Sequence, residues 1–502
     1  MSTNELPPKN LETTEEAARS LIKNSTAFLI GDTITKILSF IFNVYVVRQL
    51  GGERFGFYST ALAYTGIFSI IGDLGMTQYA IREIARGRQK IDNMFWDLVA
   101  IRLILSVVAT IFTTASAAFV AGYDNSMVLG IFIACIGFFF HAFFGPIEII
   151  LRGHERIDYL SVLNTLTQAS FILAGTVVLL SGYTFHSLIV ASYIGVPFLT
   201  LLGVYFVKRL NLATLKIQIN PQTWLPILKH SLPFALITFT LMAAQDLDTV
   251  LLSLWRSPEE VGWYKAAYNL IFKLLFIRNA IMPALMPQMS RYYGTSKERV
   301  GQTFNFAFKF LWAISLPIAI GTSIMAKPLT IFLYTEEFSQ SAIALAILIW
   351  SVPLLNLSSL CGGMTTATDK ENKAVRVYTL AAILNLTTNL IAIPIWGYVG
   401  SAVATVLTET ITLVFFYRIL HDEFPLKDLR NSLLKPLIAG GIMGGVVMML
   451  QNLPLAIVVA IGMIVYTVIL LALKPFTSGE QKIFGNLLLT MRNRISGKPN
   501  VS

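Results

Sequence analysis

Apolar stretches of about twenty residues, each closed by a short polar link, recur along the chain from Ser25 to Lys474. A helix needs roughly 20 apolar residues to cross a ~30 Å hydrocarbon core. The pattern predicts fourteen spans, near 25–47, 57–80, 95–121, 126–150, 160–182, 186–207, 232–254, 263–288, 303–325, 339–361, 374–395, 399–420, 434–451 and 454–474. Links on one side, such as Gly122–Ser126, Gly182–His186 and Gln451–Pro454, are only a few residues long. The longest link on the other side, 208–231, is polar and follows the sixth span. This is the pattern of an all-α integral membrane protein with almost nothing outside the bilayer.

Charge orients the bundle. Of the 38 Lys and Arg, 28 fall in the tails and links of one side and only 5 in those of the other. Such a bias marks the cytoplasmic face, which puts both termini in the cytoplasm of a multi-pass cell-membrane protein. The net charge of +10 is spread beside span ends rather than gathered in runs, which suits anionic lipid headgroups and argues against nucleic acid. The first 24 residues carry Glu5, Glu12, Glu15 and Glu16 and lack a cationic n-region, so the first span is expected to be retained. Cys135 and Cys361 both lie in apolar stretches, which speaks against a disulfide framework or a metal site.

The sequence repeats across the long link. Glu53-Arg54-Phe55-Gly56-Phe57-Tyr58 with Ala61, after the first span, returns as Glu259-Glu260-Val261-Gly262-Trp263-Tyr264 with Ala267, at an offset of 206 positions. Gly182-Tyr183 and Gly397-Tyr398 form a weaker second pair. Six spans separate the members of each pair, so the halves run in the same direction, as in transporters built from parallel repeats. The expected organisation is an N-terminal segment 1–24, a six-span N-lobe 25–210, a linker 211–231, a six-span C-lobe 232–425, two further spans within 426–476 and a tail 477–502.

Polar and charged residues inside spans are the candidates for function, because an ionised group at mid-bilayer costs ~2.5–3.5 kcal/mol or more unless it meets water or a partner. In the first span Ser25, Asp32, Lys36, Ser39 and Asn43 form one stripe at helical spacing. That stripe faces either a neighbouring helix or a water-filled cavity, and Asp32 and Lys36 are also placed to neutralise each other at i, i+4. The seventh span carries Thr238, Gln245 and Asp248 on a broad face, with Asp246 turned away. In the eighth, Asn269 and Lys273 share a face from which Arg278 is rotated by about 140°. An Asp248–Lys273 ion pair between adjacent helices is a structural alternative to a transport role. Arg102 and Lys309 lie less than two turns from cytoplasmic span ends, where snorkelling to the headgroups accounts for them. Glu409 sits near the middle of the twelfth span with Thr405 and Thr412, and His141 and Glu148 share a face of the fourth, which reads as a hydrogen-bonded contact. The amide pairs Asn164/Gln168 and Asn385/Asn389 suit helix–helix adhesion.

The run Arg48-Gln49-Leu50-Gly51-Gly52-Glu53-Arg54-Phe55-Gly56-Phe57-Tyr58 resembles the element after the first span of polysaccharide-transporter flippases. Asp73-Leu74-Gly75-Met76, Pro233, Asp248 with Gly262 and Tyr264, and Asn385 through Ile393-Pro394-Ile395-Trp396-Gly397-Tyr398-Val399-Gly400-Ser401-Ala402 are similar to that family as well. It belongs to the multidrug/oligosaccharidyl-lipid/polysaccharide exporter superfamily, with O-antigen flippases the nearest kind. The resemblance implies a flippase that carries a polyprenyl-diphosphate-linked oligosaccharide to the outer leaflet during surface polysaccharide assembly, alongside glycosyltransferases and a polymerase. An anionic diphosphate calls for cations. The candidate substrate-binding residues are Lys36, Lys273, Arg278, Arg102, Lys309 and Asn43, with Asp32, Asp248 and Glu409 as candidates for ion coupling. A cation-coupled multidrug exporter is the rival within the superfamily. A glycan polymerase or ligase is the rival of another class, for which the largest outer loop, from Ala326 to about Gln340 with Glu336 and Glu337, is too short. No P-loop, cysteine/histidine cluster or nucleophile elbow is present, so neither a catalytic site nor a cofactor is expected.

Overall fold

The computed structural model describes residues 11–87, 94–274, 276–426 and 429–476. The chain is helical nearly throughout, as hydrocarbon demands of a backbone that must satisfy its own hydrogen bonds. The first group of helices is α1 (Leu11–Asp73), α2 (Met76–Ala85), α3 (Phe95–Ala115), α4 (Asn125–Gly153), α5 (Ile157–Leu180), α6 (Phe185–Ala191) and α7 (Val196–Arg209). After the link come α8 (Trp224–Trp255), α9 (Pro258–Leu274), α10 (Phe276–Tyr293), α11 (Lys297–Ile324), α12 (Ala326–Leu333), α13 (Ser341–Leu348), α14 (Ser351–Ala367) and α15 (Glu371–His421). Last are α16 (Leu429–Met449) and α17 (Leu455–Leu473).

Among the described residues, ten helices are long and apolar enough to cross a membrane, or eleven with the bent α8. The fourteen segments expected from hydropathy do not appear as fourteen separate helices. Residues 35–73 and 371–421, at 39 and 51 residues, are far longer than one crossing requires. Each is broken at a glycine outside helical geometry, Gly51 (φ 73°, ψ 177°) and Gly397 (φ 57°, ψ −137°). Only glycine adopts such angles without a steric penalty, so these two residues turn the chain with no loop at all. α8 bends by 64° between Pro221–Thr240 and Gln245–Trp255. The loop expected at 326–340 is itself mostly helical, holding α12 and a single 3₁₀ turn, Glu336–Phe338.

Four apolar cores stack in pairs, with a fifth beneath α16 and α17. One of the pair in the first group of helices gathers Val46, Phe55 and Tyr64 and draws in Val250, Ala266, Tyr334 and Phe338 from the second group. The other holds Met76, Leu98 and Ile147 and takes in Ile227, with Trp224, Leu228 and Phe234 packed against it. α8 is therefore divided. Its first half rests on the first group of helices, although the sequence assigns residues from 232 onward to the second lobe, while Leu251 and Leu252 pack with Tyr264 and Val352. The buried Asp97 carboxylate fixes the divided arrangement by accepting from the Asn220 amide (2.8 Å), the Thr223 hydroxyl (2.8 Å) and the Trp224 indole (3.0 Å).

The two groups meet most closely where the sequence repeats. A Cβ on Gly56 would strike the Pro258 carbonyl, and one on Gly262 would strike the Gly52 carbonyl. Pro258 stands 206 positions beyond Gly52, and Gly262 the same distance beyond Gly56. Contacts exchanged in this way are what a two-fold axis between the elements would produce. Backbone-to-backbone approach leaves no room for a side chain, and overpacking costs at least ~1–3 kcal/mol. Gly56→Val and Gly262→Val are each expected to lower the apparent melting temperature of detergent-purified protein by several degrees or to abolish its recovery. Gly441→Val, at a site with nothing within 4 Å of an added Cβ, is expected to leave both unchanged. Wild-type stability in both crossing variants would show that the helices do not meet this closely.

Candidate functional site

A polar cavity of about 490 Å³ lies within the first group of helices and is walled on one side by Thr238 and Met242 of α8. Arg102 of α3 anchors it. The guanidinium is 1% exposed and pairs with the Asp73 carboxylate at the end of α1. It also donates to the Thr77 hydroxyl (2.7 Å), which in turn donates to Asp73 (2.7 Å), and lies 3.4 Å from His141 Nδ1. The snorkelling expected of Arg102 is thus overturned: a carboxylate one helix away offers a nearer partner than the headgroups. Gly145 permits the approach, because a Cβ there would collide with Arg102. His141 and Glu148 line the same cavity but do not form the contact their spacing suggested. His141 turns to Arg102, while Glu148 pairs with Arg152 one turn away (2.7 Å).

Asp248 lies in the second group, 7% exposed, and accepts from the Tyr264 hydroxyl (2.9 Å), the Asn389 amide (2.9 Å) and the Thr405 hydroxyl (3.1 Å). Neutral donors of α9 and α15 hold it, in place of the pairing with Lys273 weighed from the sequence. The other oxygens here are not all used: Asn389 Oδ1 and Ser401 Oγ are buried without a hydrogen-bond partner. Asn389 therefore does more than join helices, since it supplies both a donor to the carboxylate and a spare acceptor. Asp246, turned away from Asp248 as expected, pairs with Lys265 (2.9 Å), and a Cβ on Gly66 of α1 would lie 3.4 Å from its carboxylate. Lys265 was not among the sequence candidates. The available signal was its place in an apolar run nineteen positions after an acid.

Glu409 is half-buried and accepts from Ser358 (3.2 Å), while Arg278 donates to the adjacent Ser359 (3.0 Å) and acts electrostatically on Glu409 and Tyr378. The structure thus brings together two candidates, Arg278 and Glu409, that the sequence treated separately. Lys309 is 9% exposed within α11, so it is packed into protein and does not snorkel. Lys36 and Lys273 are both exposed, Lys36 among the exposed Ile37, Leu38 and Ile41, and Asn43 is half-buried. These three lie outside the wall of the Arg102 cavity. The Asp32 side chain lies outside the described residues. Cys135 and Cys361 are free and buried. Among the described residues, no group of three or more His, Cys, Asp or Glu is placed to hold a metal ion.

Two helix-end caps, exchanged between the groups, join them near Gly51. Arg48 of α1 donates to the Leu333 carbonyl (2.7 Å) and to that of Phe332 at the end of α12. In return Glu337 accepts the Gly52 N–H (2.6 Å), capping the helix that restarts after Gly51. A second cavity, wholly different in chemistry, lies among α11, α16 and α17. It encloses about 560 Å³ lined almost entirely by apolar groups such as Phe310, Pro317, Met443 and Tyr466.

Known proteins place this architecture. A probable low-salt glycan biosynthesis flippase of Haloferax volcanii is 22% identical over 487 residues, covering 94% of this chain and 99% of its own. The succinoglycan biosynthesis transport protein of Rhizobium meliloti is 21% identical over 485 residues, with 90% and 93% covered. Among solved structures, a lipid II flippase in an inward closed conformation superposes with a TM-score of 0.73 at 14% identity, covering 88% of this chain and 97% of its own. An inward-facing multidrug resistance transporter of the MATE family gives 0.65 at 15% identity, with 79% and 98% covered. The fold is that of these multi-span membrane transporters. The MatE family model matches residues 233–411, and the polysaccharide biosynthesis protein model matches residues 21–293. With more than half of its length in that second match, the chain belongs to the polysaccharide biosynthesis protein family.

Proposed function

We propose that this protein is a flippase that moves a polyprenyl-diphosphate-linked oligosaccharide from the cytoplasmic to the outer leaflet of the cell membrane. The observation that carries the reading is a polar cavity of about 490 Å³ inside a helix bundle whose two halves are latched together at one end. Relatives named as glycan flippases or transporters align along nearly the whole chain, which supports a transporter in preference to an enzyme. The apolar cavity beside α16 and α17 has the chemistry a polyprenyl chain requires. On this reading the chain crosses the membrane fourteen times with both termini cytoplasmic, as two six-span lobes related by a two-fold axis along the membrane normal, plus two further spans. It works beside glycosyltransferases and a polymerase. The Glu336/Glu337 segment serves as a latch, since Glu337 is committed to the Gly52 N–H.

The diphosphate is assigned to cations outside the Asp73 pair. Lys36 and Lys273 are the main contacts, with Arg278, Lys309 and Asn43 in support, while Arg102 meets another part of the substrate in the polar cavity. Replacing Lys36 and Lys273 together by Gln is expected to slow transfer of the glycolipid in proteoliposomes at least tenfold at unchanged protein abundance. Unimpaired transfer by the double variant would remove both lysines from the substrate path.

Asp248 is assigned to ion coupling, with Asp32 and Glu409 as further candidates. A buried carboxylate beside the unpartnered oxygens of Asn389 and Ser401 offers a small monovalent cation or a proton an oxygen-rich seat. Asp248→Asn is expected to make transfer insensitive to an imposed sodium or proton gradient. Retention of the wild-type gradient dependence would exclude this residue.

A cation-coupled multidrug exporter is the second reading, favoured by the two acids, Asp73 and Glu148, that line the Arg102 cavity. Uptake of a lipophilic cation into everted vesicles, with no transfer of glycolipid, would establish it over the first.

A further inference from the structure

The Arg102 cavity can be questioned for what it would hold, on the basis that the protein is a glycolipid flippase. Its ionisable wall consists of Asp73, Glu148, Arg102 and His141. Each carboxylate already faces a guanidinium, Asp73 that of Arg102 and Glu148 that of Arg152. Arg102 already spends its charge on Asp73. A diphosphate entering here would find no uncompensated cation to offset its lost hydration in a space of low dielectric.

The wall thus carries no net charge from these pairs to draw in an ion of either sign. What it offers is polar groups that both donate and accept, and a guest must match both. A neutral hydroxyl has both: one O–H to give to a carboxylate and lone pairs to accept from a guanidinium. Adjacent hydroxyls on one ring can therefore bridge an Arg–Asp pair without adding charge. The rest of the wall suits the same guest. Gln78 and Thr77 offer further polar groups, and Phe138 and Tyr193 offer apolar faces to the C–H side of a ring. The volume of about 490 Å³ falls in the range of small-molecule sites and accommodates a short glycan but not a lipid chain.

We infer that the cavity around Arg102 is a glycan site, which receives the neutral sugars of the lipid-linked headgroup while the diphosphate stays outside it, at the lysines. Arg102 and Asp73 engage the hydroxyls as a pair, and Gln78 and His141 set which sugar fits. The flippase is then built with separate sites for the charged and the uncharged parts of one substrate.

The test compares two lipids in proteoliposomes of the full chain: the polyprenyl-diphosphate oligosaccharide extracted from the producing cells, and undecaprenyl diphosphate without sugar. Gln78 is exposed on the wall, so Gln78→Ala does not threaten the fold, and His141→Gln retains a polar group. Each is expected to raise the half-saturating concentration of the glycolipid about tenfold, with little change in maximal rate, and to leave transfer of the bare diphosphate within twofold of wild type. Equal losses on both lipids would overturn the glycan site, as would wild-type handling of the glycolipid by both variants. Protection of an introduced Gln78→Cys thiol by a lipophilic cation, but not by the glycolipid, would overturn it in favour of a drug site. Transfer of neither lipid by the unaltered protein would refute the flippase reading itself, an outcome distinct from the others because it precedes any variant.

Discussion

Hydrocarbon offers no hydrogen bond, and most of this structure follows from that. Removing one partner from a buried ion pair costs ~3–5 kcal/mol, so charges placed inside the bundle are held by neighbours from other helices. Arg102 is met by Asp73, Lys265 by Asp246, and Arg278 by Ser359 in the field of Glu409. Asp248 is met by three neutral donors. Each arrangement joins different helices. The polar residues thus act as fasteners of the bundle before they act on any substrate, and a transport role has to be found in what the fasteners leave over. Among the described residues, those remainders include the acceptors of Asn389 and Ser401.

The same economy governs how the two groups of helices touch. Glycines bring backbones together at Gly56 and Gly262, where a side chain would have nowhere to go. Next to this crossing, the broken helix ends at Gly51 and Leu333 would leave polar backbone groups unpaired, since the last carbonyls and first amides of any helix lack internal partners. Arg48 and Glu337 satisfy them across the divide. These bonds are polar, peripheral and few, so they can be undone without unpacking a core. α8 is the counterpart elsewhere in the molecule. Asp97 pins its beginning to the first group, its end packs with the second, and the 64° bend lies between.

Periodicity reveals which face of a helix is polar, and here it reported faithfully. The run of spans, the repeat at offset 206 and the opposed faces of Asp246 and Asp248 were all legible. What periodicity does not reveal is the neighbour. Arg102 and Lys309 sit at depths from which a long side chain can reach the headgroups, and nothing local distinguishes that fate from burial. The choice was made by Asp73, twenty-nine positions away, and by Gly145, whose missing side chain makes room. His141 and Glu148 failed for the same reason, each finding a better partner than the other. Gly51 and Gly397 defeated the count of separate helices, because a glycine can reverse the chain with no loop for composition to register.

The balance of charge in the Arg102 cavity bears on a wider point about polar sites in membranes. A cavity that bound a diphosphate with free arginines would hold uncompensated cations whenever it stood empty, and in low dielectric that state is costly. Pairing Arg102 with Asp73 removes the cost but also removes most of the attraction for an anion. The compensated pair retains directional donors and acceptors, which are the groups that distinguish one neutral polyol from another. Selectivity without strong attraction also favours release, which a flippase needs as much as capture, because binding that deepens the bound state equally at entry and exit slows departure. Lys36 and Lys273, proposed above for the anion, lie outside this cavity. On that proposal the diphosphate does not compete with Asp73 for Arg102, and the pair stays compensated whether the cavity is filled or empty.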